Sequence, residues 1–277
     1  ARRLLKRYRP DVIFSRPVCL AVPVVLAAKH FKIPVIIHES DMTPGLANKL
    51  CIPSAVKVCC NFPETLKYLP ADKAVLTGSP IRADLLKGDR LSGLNYAHLS
   101  SEKPILMVIG GSLGSVAVNQ AVRGILPRLL ETFQIIHICG KGNLDEGLIG
   151  TPGYVQYEYV DAPLKHLFAA ADVVISRAGA NSICELLALK KPNLLIPLPA
   201  SASRGDQILN AASFAKQGFS RVLEEEQITP DSLFEAITQL YARRRDYIEA
   251  MEKSSLNNAV ETIFSLIEDC LPKTDKI

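Results

Sequence analysis

The stretch ADVVISRAGANSICELLALKKPNLLIPLPASASRGDQILNA, Ala171–Ala211, decides the fold. An apolar run, Val173–Ser176, leads through the glycine turn Arg177-Ala-Gly-Ala180 into a helical segment over about Asn181–Leu189. A second apolar run, Leu194–Pro197, then a polar loop and a further helix follow. Buried strands alternating with helices in this way make half of a doubly wound α/β domain. Such sheets bind ligands outside the carboxyl ends of their strands. Ser176, Arg177, Asn181, Glu185, Ser203, Arg204, Asp206, Gln207 and Asn210 gather at those ends, which is where a site is expected.

The alternation extends in both directions. Upstream lie a strand at Ile105–Ile109, the turn Gly110-Gly-Ser-Leu-Gly114, a helix to about Glu131, strands at Ile135–Cys139 and Val155–Val160, and a helix near Pro163–Ala171. Downstream come a short strand, Arg221–Leu223, and helices at about Pro230–Tyr247 and Glu249–Cys270. Nearer the start, strands at Asp11–Ser15, Pro34–Glu39, Lys57–Cys60 and Ala74–Gly78 are separated by helical segments, the pattern of a second parallel sheet. Asp84–Lys103 is polar and aperiodic and reads as the linker between two units. A length of 277 residues suits two α/β domains.

Composition narrows the function. Hydrophobic residues make up 48% of the chain, which excludes a disordered protein. The longest apolar run, Cys19–Ala28, is interrupted by Pro23 and falls short of the roughly 20 residues a membrane span needs. Seven cysteines without a CxxC pair read as reduced core thiols, and no cysteine or histidine spacing suits a metal. Residues 1–90 carry 15 Lys and Arg against 7 Asp and Glu, a net +8, whereas residues 91–277 carry 17 against 21, a net −4. A basic first part suits an anionic partner such as phosphate or the cytoplasmic membrane surface, or is a solvated face. Nucleic acid is disfavoured, because tryptophan is absent and aromatics reach only 6%.

Four motifs carry chemistry, each with a plainer alternative. Gly110–Gly114 joins a strand to a helix, where unpaired N–H groups and the helix dipole favour phosphate. It also matches GxSxG, the nucleophile elbow of a serine hydrolase at Ser112, with His137 or His166 as the only available bases, and it can be a simple tight turn. Glu185, one turn beyond Asn181, can accept the hydroxyls of a ribose or, with Ser182, form a capping box. Ser203-Arg-Gly-Asp-Gln207, with Asn210 one turn on, can hold sugar hydroxyls, or Asp206 is an N-cap. His38-Glu39-Ser40-Asp41 ends a strand, so His38 or Asp41 can serve acid–base chemistry, or His38 is a satisfied strand-end histidine. No Asp-x-Asp occurs, so a leaving diphosphate would be stabilised by helix dipoles and by Ser, Arg or amide donors without a metal.

Taken in order, HESDMTPGLANK (38–49), TGSPIR (77–82), GGSLGS (110–115), SRAGANSICE (176–185) and SRGDQILNA (203–211) resemble the MurG family, and the similarity covers nearly the whole chain. The resemblance implies a GT-B fold: two Rossmann-like doubly wound domains facing a cleft. Residues 1–90 would form a partial amino-terminal domain on the acceptor and membrane side. Residues 91–250 would bind the UDP-sugar, and residues 251–277 would be a carboxyl-terminal helix packing back toward the first domain. The implied reaction is inverting transfer of N-acetylglucosamine from UDP-N-acetylglucosamine (UDP-GlcNAc) to the muramoyl 4-hydroxyl of undecaprenyl-diphosphate-linked muramoyl pentapeptide. UDP-GlcNAc is then a substrate, and no cofactor or metal is implied. The protein would sit peripherally on the cytoplasmic face of the cell membrane.

The family pattern also implies roles for residues. Ser112 would contact the diphosphate, with Arg82 near it, and Val160 would receive the uracil on its backbone. Ala180, Asn181 and Glu185 would surround the nucleotide, with Glu185 on the ribose. Gln207 would reach the sugar, and Arg177 and Asn210 complete the binding set. Asp41 stands where the family often has Asn close to the N-acetylglucosamine; it is the one candidate for a catalytic role, which is otherwise unassigned. The sequence departs from the family twice. It begins after the family's opening glycine-rich loop with its histidine, and Pro17 and Val18 replace the glycines of a turn thought to help bind the acceptor pyrophosphate. Three other readings therefore stand beside the transferase: a non-catalytic UDP-sugar-binding fragment, a GT-B enzyme for another lipid acceptor, and the serine hydrolase.

Overall fold

The computed structural model describes residues 1–16, 19–111, 114–203 and 205–271, with the side chain of Asn257 excepted. Pro17, Val18, Ser112 and Arg204 lie outside the described residues, so the roles expected of them are not located. The chain divides into two compact units, residues 1–80 with 255–277, and residues 81–254.

The first unit runs α1 (Arg2–Tyr8), β1 (Ile13–Ser15), α2 (Val22–His30), β2 (Val35–Glu39), α3 (Leu46–Cys51), β3 (Lys57–Cys60) and β4 (Ala74–Leu76). Its strands form a parallel sheet in chain order, β1-β2-β3-β4. Val35, Ile37, Val58 and Cys60 face α1 and α2, whereas Ile36 and Cys59 face the other way. A strand with apolar residues on both faces needs cover on both. Ile263, at the carboxyl-terminal end of the chain, provides it for the second face.

The second unit runs α4 (Arg90–Ala97), β5 (Ile105–Ile109), α5 (Val116–Gly124), α6 (Leu126–Thr132), β6 (Gln134–Ile138), β7 (Tyr154–Tyr157), α7 (Leu164–Ala170), β8 (Val173–Ser176), α8 (Ala180–Ala188), β9 (Asn193–Leu195), α9 (Asp206–Lys216), β10 (Ser220–Val222), α10 (Pro230–Ala242) and α11 (Arg244–Glu252). Then α12 (Ala259–Glu268) returns the chain to the first unit. The sheet is parallel throughout, in the order β10-β9-β8-β5-β6-β7. From β5 the chain builds outward through β6 to β7, then crosses back and builds the other way from β8 to β10. The order therefore reverses between β5 and β8, the topological switch point where open α/β sheets leave a crevice.

Three segments differ from the sequence reading. The helix expected to run to Glu131 is two, α5 and α6, because Pro127 cannot supply the N–H that would continue the first one and instead occupies the first turn of the second. The helix expected over Glu249–Cys270 is interrupted after α11 and resumes only at α12. The stretch expected to be a bare linker contains α4, which packs on α7. Its outer face mixes Arg90, Ser92 and Asn95 with exposed Leu91 and Tyr96, which hides the signal, and glycine supplies the contact. A Cβ on Gly93 would lie 2.1 Å from the carbonyl oxygen of His166, and one on Gly88 only 2.0 Å from that of Lys165.

Among the described residues no helix is long and apolar enough to cross a membrane, and all seven cysteines are unpaired. Because α4 and α7 touch through backbone, Gly93→Ala is expected to lower the unfolding free energy by about 1–3 kcal/mol through overpacking. Urea unfolding of wild type and variant measures this.

Candidate functional site

The switch point of the second unit holds a cleft of about 520 Å³. One wall is Gly110, Gly111 and Gly114 with Ser115 and Val116 after β5, and the other is Arg177, Gly179 and Ser182 after β8; Leu198 and Gln207 close it. The glycine loop has a steric reason. Gly111 and Gly114 have φ of 85° and 74°, and a Cβ on Gly114 would lie 1.9 Å from the carbonyl oxygen of Cys139. Ser115 then caps α5, its hydroxyl accepting from Val118 N.

Two more helices begin beside this loop without a side-chain cap. α8 starts from Gly179, not from Ser182, so the capping-box reading of Glu185 falls. α9 starts from Gly205 at φ 79°, so Asp206 is its first residue rather than its N-cap. Helix N-termini carry partial positive charge and unspent N–H groups, which suits an anion in the cleft.

The expected site residues take distinct places. Glu185 is half-buried on α8, and burial raises its carboxyl pKa while the nearby Arg82 guanidinium opposes that shift. Gln207 lines the cleft, and its carbonyl oxygen accepts from Ala178 N at 3.2 Å and Leu198 N at 3.1 Å. Both partners are donors, so the amide orientation is fixed and the NH₂ end is directed away from them. Ala180 and Asn181 form the first turn of α8, and Val160 follows β7 with its side chain buried. Asn210 is buried and donates to Ala178 O at 3.2 Å. Asp41 belongs to the first unit, is exposed, and donates its backbone N–H to Glu39.

Arg177 is buried, and its guanidinium is held by protein partners. It donates to the carbonyls of Ile196 (3.1 Å) and Pro197 (3.2 Å) and to Ser115 Oγ (2.6 Å), and it pairs with Glu225. It thereby ties the ends of β8 and β9 to the cap of α5. The sequence offered no signal for Glu225, which lies 48 positions away in a short turn of helix.

In the first unit Glu39, quoted in a motif but given no role, organises the loop after β2. Its buried carboxylate accepts from Asp41 N (2.9 Å), Gly45 N (3.0 Å) and Asn48 Nδ2 (2.7 Å). His38 is a strand-end histidine satisfied on one side only: it is 1% exposed, its Nε2 donates to Gly78 O at 2.9 Å, and its buried Nδ1 has no hydrogen-bond partner among the described residues. Neither histidine suggested for a hydrolase is available as a base. His137 is fully buried with both ring nitrogens engaged, and His166 Nδ1 accepts from Asp89 N.

Comparison with known proteins agrees with this geometry. Residues 105–266 match the glycosyltransferase family 28 C-terminal domain, and residues 1–60 match the corresponding N-terminal domain. The chain is 60% identical, over 97% of its own length and 76% of the relative's, to the UDP-N-acetylglucosamine–N-acetylmuramyl-(pentapeptide) pyrophosphoryl-undecaprenol N-acetylglucosamine transferase of Lachnospira eligens. The chain belongs to the MurG family. The transferase of the same name from Lachnoclostridium phytofermentans shows the same identity and coverage. The crystal structure of MurG from Acinetobacter baumannii superposes with a TM-score of 0.75 at 25% identity, covering 97% of this chain and 76% of that one. The family's GT-B architecture is that of the two parallel-sheet units described above.

Burial lowers the His38 pKa from 6.5 to about 4, with a further push from Arg16 and opposition from the Gly78 bond. The unfolded chain therefore takes up a proton near pH 6.5 that the folded chain refuses until about pH 4. Stability falls as pH drops through that window. In His38→Gln, which keeps a donor for Gly78, the loss of unfolding free energy between about pH 7 and pH 4 is expected to shrink by roughly 2 kcal/mol. Urea unfolding at the two pH values checks it.

Proposed function

We infer that this chain transfers N-acetylglucosamine from UDP-GlcNAc to the muramoyl 4-hydroxyl of undecaprenyl-diphosphate-linked muramoyl pentapeptide, the step that makes lipid II for peptidoglycan. The observation that carries the reading is the cleft at the β5/β8 switch point, where a glycine loop and helix N-termini converge; Glu185 stands further along α8, the helix that begins at the cleft. The names of its relatives supply the substrates.

The walls of that cleft suit the following chemistry. The acceptor hydroxyl attacks the anomeric carbon from the face opposite the diphosphate, the glycosidic C–O bond breaks with its electron pair going to UDP, and the configuration inverts. The hydroxyl proton passes to a base, for which Asp41 is the candidate on this chain. Charge building on the departing diphosphate is met by the N–H groups of the glycine loop, including Ser112, by the α5 and α8 dipoles and by Arg82. Glu185 accepts the ribose hydroxyls, the Val160 backbone receives the uracil, and Ala180 and Asn181 flank the nucleotide. The NH₂ end of Gln207 donates to the sugar, while Arg177 and Asn210 hold the β8–α8 turn in place. UDP-GlcNAc is a substrate in this scheme, and no cofactor is invoked.

Titration calorimetry with UDP-GlcNAc is expected to show saturable binding to the folded chain. Glu185→Ala is expected to lose about tenfold to a hundredfold in affinity, as when a charged hydrogen-bond acceptor is removed from a bound hydroxyl pair. Absence of binding by the folded wild type would overturn the reading.

We propose that the protein works peripherally on the cytoplasmic face of the membrane, since its acceptor is lipid-linked. The support is α1, which exposes Arg2, Arg3, Lys6 and Arg7. Binding to vesicles containing anionic phosphatidylglycerol is expected to fall severalfold between about 50 mM and about 500 mM salt, as screened charge requires. Flotation measures it, and salt-insensitive or absent binding would remove the proposal.

A further inference from the structure

His137 and Asn119 take no part in the transfer chemistry, yet they join the glycine loop to the next strand. Asn119 lies one turn into α5, its N–H closing the first helical bond to Ser115 O at 2.8 Å. Its Nδ2 donates to the carbonyl oxygen of Cys139 at 2.9 Å, and its Oδ1 faces His137 Nε2 at 2.9 Å. His137 Nδ1 meets the Tyr154 hydroxyl at 2.9 Å. Asn119 and His137 are 2% and 0% exposed.

The proton positions follow by elimination. A carbonyl only accepts, so Asn119 must present its NH₂ to Cys139 and its oxygen to the imidazole. His137 therefore carries its proton on Nε2, and Nδ1 accepts from Tyr154. Burial, helped by Arg123, lowers the His137 pKa to about 3, so the ring stays neutral and in this one tautomer. The same Cys139 carbonyl is the atom that Gly114 abuts so closely that no side chain fits there. Loop and helix thus converge on one oxygen at the end of β6.

We propose that His137, acting through Asn119, is a positioning residue for the diphosphate: it locks the amino terminus of α5, with Gly114 before it, against Cys139, so that the N–H groups there are already aimed when the nucleotide arrives. The proposal rests on the reading of the cleft as the UDP-sugar site. Pre-aimed donors cost no reorganisation on binding, whereas an Asn119 left without its imidazole partner can swing, and the helix start with it.

The test separates the diphosphate from the nucleoside. Dissociation constants for UDP and for uridine are measured by calorimetry on wild type, His137→Leu and His137→Gln, with circular dichroism as the check on folding. His137→Leu is expected to weaken UDP about tenfold and leave uridine within about twofold, and His137→Gln, whose amide can donate from the Nε2 position, is expected to restore UDP binding. Equal losses for both ligands, or none, in a folded His137→Leu would overturn the positioning role. Failure of wild type to bind UDP at all would instead overturn the site reading. The unmutated chain gives a second test that needs no variant. Imidazole ¹⁵N spectra are expected to show His137 as the Nε2–H tautomer, with a resonance that moves on adding UDP and not on adding uridine; an Nδ1–H tautomer, or indifference to UDP, would overturn the proposal.

Discussion

An all-parallel sheet imposes a crossover on every strand connection, and the second unit meets that constraint by reversing direction once, between β5 and β8. The chain leaves those neighbouring strands toward opposite sides of the sheet. Their carboxyl ends therefore open a crevice that no side chain has to be removed to make. The crossover helices begin where the strands end, so the crevice gathers positive helix ends as a by-product of topology. The chemistry of the site starts from this geometry, and the residues refine it.

The refinement is done largely by what is missing or buried. Gly114 brings loop backbone against the Cys139 carbonyl, and Gly93 brings α4 against α7; in both places the absence of a Cβ sets the distance. Charge is handled by enclosure. Arg177 is satisfied by two carbonyls, a serine hydroxyl and Glu225, which makes it a strut between three segments of the site. Leaving such a charge without partners would be costly, so the segments it joins are fixed relative to one another. Glu39 plays a comparable part in the first unit, where one carboxylate gathers two backbone N–H groups and the Asn48 amide.

Much of the fold could be read directly. β3, β5 and β8 coincide with their expected runs, because a strand buried on both faces is a short continuous apolar segment bounded by turn residues. Pro127 hid the break between α5 and α6 inside an unbroken apolar pattern, since proline in a first helical turn disturbs neither periodicity nor burial. α4 was missed because a glycine contact leaves no hydrophobic stripe. Of the candidate site residues, Arg177 and Gln207 line the cleft itself, and Ala180, Asn181 and Glu185 stand on the helix that opens from it. The capping alternatives for Glu185 and Asp206 were indistinguishable in sequence. Both rested on spacing, and only the backbone shows that Gly179 and Gly205 occupy the cap positions.

The sequence by itself determined the alternation of strands and helices, the glycine turns after strands and the five ordered motifs of the MurG family, because each depends on residues close together in the chain. Tertiary structure alone decided the partners. Arg177 meets Glu225 across 48 positions, His137 meets Asn119 and Tyr154 from neighbouring elements, and the order of the strands puts the β5 loop beside the β8 turn. Hydrogen bonds and ion pairs act over a few ångströms of space whatever the separation in chain. A linear pattern can therefore nominate a polar residue, but only the packed fold shows whether it faces a ligand or another side chain.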